Sequence, residues 1–294
     1  MTTASDTAIE SRLAELFARP GFWQERWRAA GHATAPASLR DLPIVTPEEL
    51  AREEREHPPF GSWRATGSFV RVGWTLAPRA LEALFFSAGD LEREAAVGAR
   101  SLAAAGLEPG WRETNTLPGG LATPGSLLIG DAAESLGSLD MPVGPLDKAP
   151  ARATALDFWS RVRPDFAVLD ATGAADLAAL LAGEKTSARD IGLRAAALVS
   201  DLRDPEPEVP ELGVPLTRIV GLAEAFSLLA AQSSDGAFFP PADEVHCEVL
   251  DGELVLTTLH HSAALVRYAP GVRARPAGAG TAGGGPQASG FRFD

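Results

Sequence analysis

The stretch "RATALDFWSRVRPDFAVLDATGAADLAALLAG" (residues 152–183) reads as helix, strand, helix in immediate succession. The pattern repeats on either side. "LRAAALVS" (193–200) reads as a further buried strand, and "LTRIVGLAEAFSLLAA" (216–231) as strand, turn and helix. Upstream, "SAGDLEREAAVGARSLAAAGL" predicts a helix capped by Ser87 or Asp90 and ended by Gly106. "PGGLATPGSLLIGDAAESLG" (118–137) is a glycine-rich loop entering a helix, and "SLDMPVG" is a short strand. Such alternation predicts an α/β fold in which helices flank both faces of a mostly parallel sheet.

The N-terminal third adds short helices over 8–18, 21–31 and from Pro47 onward. The last has a clear start signal, with Thr46 as N-cap, Pro47 at the first helical position and Glu49 three residues after the cap. "SFVRVGWTL" (68–76) reads as a strand, and "ALEALFF" (80–86) as strand or helix. Residues 236–272 are richer in strands. The glycine-rich stretch 276–294 is expected to be a disordered tail.

Bulk numbers narrow the function. The 294 residues are 45% hydrophobic and 22% charged, the balance of an ordinary globular chain. A net charge of −13 argues against a broad nucleic-acid footprint or docking on an anionic membrane. The single cysteine, Cys247, excludes an internal disulfide and suits a reducing cytoplasm. No signal peptide and no membrane span are expected. Lys148 and Lys185 are the only lysines.

An ordered set of segments is similar to the phenylacetate–CoA ligase family of the adenylate-forming (acyl-CoA ligase, AMP-binding) superfamily. These are "FWQERWRAAG", "SLRDLPIVTPEELAREEREHPPFG", "ARSLAAAGLEPGW", "IVGLAEA" and "GELVLTTL…LVRY". The resemblance covers roughly residues 8 to 275. It implies a large N-terminal domain over 1–275, with 236–272 as a strand-rich part, and a mobile C-terminal ligase domain that is absent here. In relatives that architecture binds ATP, Mg and a carboxylate. Attack on the α-phosphate requires charge neutralisation at phosphates, metal and pyrophosphate.

The resemblance places four devices on this sequence. The phosphate loop corresponds to "RVGWTLAPRALEALFF", which offers Gly73, Thr75 and Arg79 but also Pro78, a residue with no N–H. The motif whose glutamate supports magnesium reads Val220-Gly221-Leu222-Ala223-Glu224; the acid is kept and the aromatic and hydroxyl are not. The alternative for Glu224 is a solvated acid at a helix start. The ribose-binding aspartate is replaced by Val272 in "YAPGV", beside Arg267, Tyr268 and Gly271. The fourth device, a lysine of the C-terminal domain, has no counterpart after Lys185. The segment before the glutamate motif is also shorter than in relatives.

These departures lead to the expectation of a degenerate homologue that does not adenylate and needs no cofactor. It would act as a binding or partner protein in a metabolic pathway, taking a small carboxylate or acyl thioester, with a biosynthetic enzyme or carrier protein as partner. Two alternatives stand beside it. One is ATP-independent acyl transfer or cyclisation with His260 or His261 as base, against the plainer reading of turn histidines facing water. The other is an ATP- and Mg-dependent ligase completed by a partner, using Glu224 as the metal residue. The "DEVHCEV" cluster (243–249) lacks a Cys-x-x-Cys partner for zinc, and in a strand His246 and Cys247 face opposite ways.

Overall fold

The computed structural model describes residues 4–65, 68–75, 83–119, 121–123, 126–281 and 287–294. Three helices open the chain: α1 (Ala4–Phe17), α2 (Phe22–Ala29) and α3 (Pro47–Glu56). The α3 start is the expected capping box: Glu49 N–H donates to Thr46 Oγ1, and Thr46 N–H to Glu49 Oε2. Next come β1 (Arg71–Thr75), β2 (Ala83–Phe86), α4 (Ala88–Ala104), β3 (Arg112–Asn115) and β4 (Leu121–Thr123). The α4 helix starts with a second capping box in which Ser87 is the cap and Asp90 its reciprocal acid. β1 lies between β2, antiparallel, and β4, parallel.

The alternating region follows: α5 (Ile129–Leu136), β5 (Leu139–Pro142), α6 (Ala149–Val162), β6 (Phe166–Leu169), α7 (Ala171–Gly183), β7 (Ala195–Asp201), β8 (Leu216–Gly221) and β9 (Ala230–Ala231). With β3 these strands form a six-stranded sheet of order β5-β3-β6-β7-β8-β9, parallel except for β9. The central strands β6 and β7 are buried on both faces, which is why they read as apolar runs. Ala167 and Leu169 of β6 pack with Trp159 of α6 and Leu177 of α7. Phe166 and Val168 pack the other way, with Leu102 of α4 and Ile129 of α5.

The last strands are β10 (Val245–Leu250) and β11 (Glu253–Thr258), an antiparallel pair, followed by β12 (Ala274–Thr281) and β13 (Gln287–Phe293). The latter pair corrects the expectation of a disordered tail. β12 and β13 are hydrogen-bonded to each other, and Phe238 and Phe291 exchange two backbone hydrogen bonds at 2.9 and 3.0 Å. Phe238, Phe291 and Phe293 form an aromatic trio with ring centroids 5.2–5.6 Å apart. Phe291 is fully buried and belongs to the core beneath α1, α2 and β11. Burial of that aromatic surface outweighs the local flexibility of the glycines.

The expected helix after β8 is also corrected. Residues 222–229 form consecutive turns, with Leu222 N–H donating to Phe226 O at 2.7 Å, and the chain then pairs back as β9. Among the described residues no helix is long and apolar enough to cross a membrane.

Candidate functional site

Adjacent parallel strands β7 and β8 end in register, with Asp201 opposite Gly221. Carboxyl ends of such strands are where an α/β sheet builds its sites. Two residues past β7 stands Arg203, and three past β8 stands Glu224. A third segment arrives from β11: Tyr268 exchanges backbone hydrogen bonds with Leu256, both at 2.8 Å, and forms a bridge to Val45. Its ring is thereby driven into the core beside both loops.

These side chains form one buried network. Arg203 Nη1 and Tyr268 Oη both donate to Glu224 Oε1, the phenol at 2.6 Å, and Arg203 Nη2 donates to Glu224 Oε2 at 3.0 Å. The same guanidinium donates to Asp201 through Nε and Nη2, each at 2.9 Å, while Ala223 N–H donates to Asp201 Oδ2 at 3.1 Å. Glu224 and Asp201 are 3% and 1% exposed, and Tyr268 is fully buried. Burial and then the Glu224 charge hold the Tyr268 phenol well above its usual range, so it remains a donor. Burial opposes the Arg203 charge, but the bonds to Asp201 and the charge of Glu224 outweigh it and raise the guanidinium's pKa.

The reading of Glu224 as a solvated acid at a helix start is thus corrected on both counts. Both of its oxygens are taken by protein donors. Gly221 closes β8, while Leu222 and Ala223 are buried and shape the turn that delivers Glu224. Asp201 and Arg203 escaped the sequence reading. The signal was present as an acid-x-arginine step directly after one strand, beside a glutamate directly after its neighbour.

The remaining sequence candidates are dispersed. Arg267 has a left-handed backbone (φ 47°) and donates to Leu42 O and, at 3.1 Å, to Arg40 O, away from Glu224. Val272 is 6% exposed, and its carbonyl accepts from Leu254 N–H at 2.9 Å. With Gly271, Arg203, Arg218 and Phe293 it lines a cleft of about 400 Å³. Thr75 ends β1. Arg79 lies outside the described residues, as does most of the loop that carries it.

The two histidines part company. His260 is exposed, whereas His261 is 1% exposed beneath Phe226 and Phe86. His261 Nδ1 accepts from Ala263 N–H at 3.0 Å, and Nε2 lies 3.5 Å from Glu94 Oε1. Glu94 also accepts from Ser227 N–H at 3.1 Å. Asp90 takes the backbone N–H and hydroxyl of Ser262 at 2.8 and 2.5 Å, and Arg12 donates to His261 O. Burial raises the Glu94 carboxyl despite the neighbouring imidazole. His261 therefore ties α1, α4 and the 221–227 turn together and is buried from solvent among the described residues.

The 243–249 cluster is likewise divided. Asp243 pairs with Arg100 and Glu244 with Arg93, each at 2.8 Å. Burial pushes the Cys247 thiol up and lowers the His246 imidazole. Among the described residues no group of three acidic, histidine or cysteine side chains could hold a metal ion.

No protein-family model matches the chain, and no curated protein matches it by sequence. Solved structures do. An open conformation of 2-hydroxyisobutyryl-CoA ligase in complex with 2-HIB-AMP and CoA superposes with TM-score 0.83 at 20% identity, over 98% of this chain and 72% of the ligase. The same enzyme in the thioesterification state gives TM-score 0.83 at 21% identity, over 99% of this chain and 66% of the ligase. The chain thus spans about two thirds of the length of the structures it matches. It has the fold of the adenylate-forming CoA ligases.

Proposed function

We propose that this chain is a degenerate, phenylacetate–CoA-ligase-like homologue of the adenylate-forming enzymes that does not form acyl adenylates. It acts as a cytoplasmic binding or partner protein in a metabolic pathway. Its ligand is a small carboxylate or acyl thioester, and its partner a biosynthetic enzyme or carrier protein. In this reading residues 1–275 are the ligase-like domain, and 236–272 its strand-rich part.

The observation that carries the proposal is the Glu224 network. A carboxylate that supports Mg must present a free oxygen lone pair to the ion. Here Arg203 supplies a fixed positive charge at that carboxylate, and Tyr268 caps it. Displacing the guanidinium would strand Asp201 and Glu224 in a site with almost no solvent, at a cost of about 3–5 kcal/mol. Val272 supports the same reading, because an apolar side chain cannot accept hydrogen bonds from a ribose.

ATP-independent acyl transfer with His261 as base finds no support in a ring whose two nitrogens face Ala263 N–H and Glu94. A ligase completed by a partner would need Arg203 to leave Glu224. The test is carboxylate-dependent exchange of pyrophosphate into ATP across a panel of aryl and short-chain acids, with acyl-CoA binding measured in parallel without ATP. The proposal expects no exchange above background and allows thioester binding. Exchange that depends on one acid would overturn it.

A further inference from the structure

The end of the six-stranded sheet opposite Glu224 holds a second concavity, of about 520 Å³. It lies at the amino ends of three neighbouring strands, β3, β6 and β7. Its lining is Trp111 and Arg112 at the entry to β3, Arg163 and Asp165 before β6, and Arg189 and Arg194 before β7. Four arginines around one hollow stand out in a chain whose net charge is −13.

The floor is rigid. Asp165 N–H donates to Arg112 O and Arg194 N–H to Asp165 O, both at 2.8 Å, so the three strand entries are laced together. Gly192, in a left-handed conformation (φ 111°), has no room for a side chain: a Cβ would stand 3.0 Å from Arg163 and Pro164 backbone atoms. Arg163 itself has φ 55° at the end of α6. Local geometry therefore holds these residues close despite their like charges.

Charge within the hollow is unbalanced. Arg112 donates to both oxygens of Asp165, at 2.8 and 3.2 Å, and to Val162 O at 2.7 Å, which occupies the one acid of the lining. Arg194 stacks on the Trp111 ring at 4.1 Å from its centroid, and Arg189 is anchored through Nε to Gly213 O at 3.1 Å. Asp190, just outside the lining, feels the Arg163 charge but bonds to Ser187. Among the described residues neither Arg163, Arg189 nor Arg194 is within ion-pair distance of a carboxylate.

We propose that this hollow binds a phosphate ester or diphosphate, with Arg163, Arg189 and Arg194 as its ligands. Planar guanidinium groups match phosphoryl oxygens two at a time, and an arginine already stacked on tryptophan loses little freedom on binding. The hollow opens to solvent, and Arg163, Arg189 and Arg194 are exposed around it. The outer face of the Arg194 guanidinium offers a platform on which a nucleobase or other flat group attached to the phosphate could stack.

The test is titration calorimetry of the full chain with inorganic pyrophosphate and, separately, with ADP, both without Mg. Arg163→Ala/Arg194→Ala is compared with Arg52→Ala/Arg55→Ala, which removes the same charge from the exposed face of α3. Saturable binding is expected, weakened about tenfold or more by the first pair of substitutions and not by the second. It should also weaken as NaCl rises from about 50 to about 300 mM. Tighter binding of ADP than of pyrophosphate would assign the stacked platform, and equal binding the diphosphate alone. No saturable heat at millimolar ligand, or equal loss in both variants, would overturn the proposal. Binding retained in Arg163→Ala/Arg194→Ala would also overturn it.

Discussion

The Tyr268 hydroxyl donates to Glu224 Oε1 at 2.6 Å, the oxygen that also receives Arg203 Nη1. The bond ties the segment after β11 to the turn after β8. Tyr268→Phe removes the donor and leaves the ring in place. It should lower stability by about 1–3 kcal/mol, the cost of a buried charged group losing one hydrogen bond. Urea unfolding followed by far-UV circular dichroism would measure it, and an unchanged midpoint would show that the phenol contributes nothing.

Arg203→Ala tests the guanidinium as a resident cation. Two buried carboxylates then keep their hydrogen bonds from Tyr268 and Ala223 but lose their shared positive charge, which should cost about 3–5 kcal/mol. Millimolar Mg²⁺ should restore part of that loss in Arg203→Ala and leave the unsubstituted chain unaffected. Equal Mg²⁺ dependence in both would separate Arg203 from any metal-replacing role.

Glu113 gives a pH signature. It lies in β3 opposite Asp140 of β5, fully buried, and burial followed by the neighbouring Asp140 holds its carboxyl well above the usual range. A raised folded value means the folded state holds the proton more tightly than the unfolded chain, where a glutamate titrates near about 4.3. Its contribution is complete below that value and is lost as pH rises through the folded value. Glu113→Gln should therefore gain stability relative to the parent as pH is raised. A difference between the two that stays constant from about pH 4 upward would contradict this. Glu94 is shifted the same way, so the substitution removes only part of the slope.

Phe291→Ala reports on the terminal hairpin. Removing a fully buried ring that stacks on Phe238 should cost about 3–5 kcal/mol and expose β12 and β13 to limited proteolysis. A parent hairpin already cut as fast as the variant would return this segment to the disordered state expected of its composition.

The alternation of helices and strands was legible because each element carries its own local signals. Thr46 and Ser87 announce their helices within four residues, and Phe166–Leu169 announces a strand buried on both faces. The hairpin was not legible, because its stabilising partner, Phe238, lies some 50 residues upstream. Composition there reports only the glycines. The run after β8 failed for a related reason: "LAEAFSLLAA" has helical composition, yet burial of Leu222, Phe226 and Leu229 and the pairing of Glu224 impose turns. At the site, resemblance located Glu224 and Tyr268, but Arg203 belongs to no matched motif. It became visible only when β7 and β8 were placed side by side.

The measurement that tests the central claim most directly is thermal unfolding of the purified chain with and without Mg·ATP, with AMP in parallel. A ligand present at about 100 times its Kd stabilises a protein by about 2.7 kcal/mol, a shift of several degrees at this size. The occupied Glu224 and the apolar Val272 predict no shift with millimolar Mg·ATP beyond that given by the same nucleotide without Mg. A shift that requires Mg, and that Glu224→Gln abolishes, would contradict the account: Arg203 would then yield its place to a metal, and the chain would retain the nucleotide chemistry of the fold.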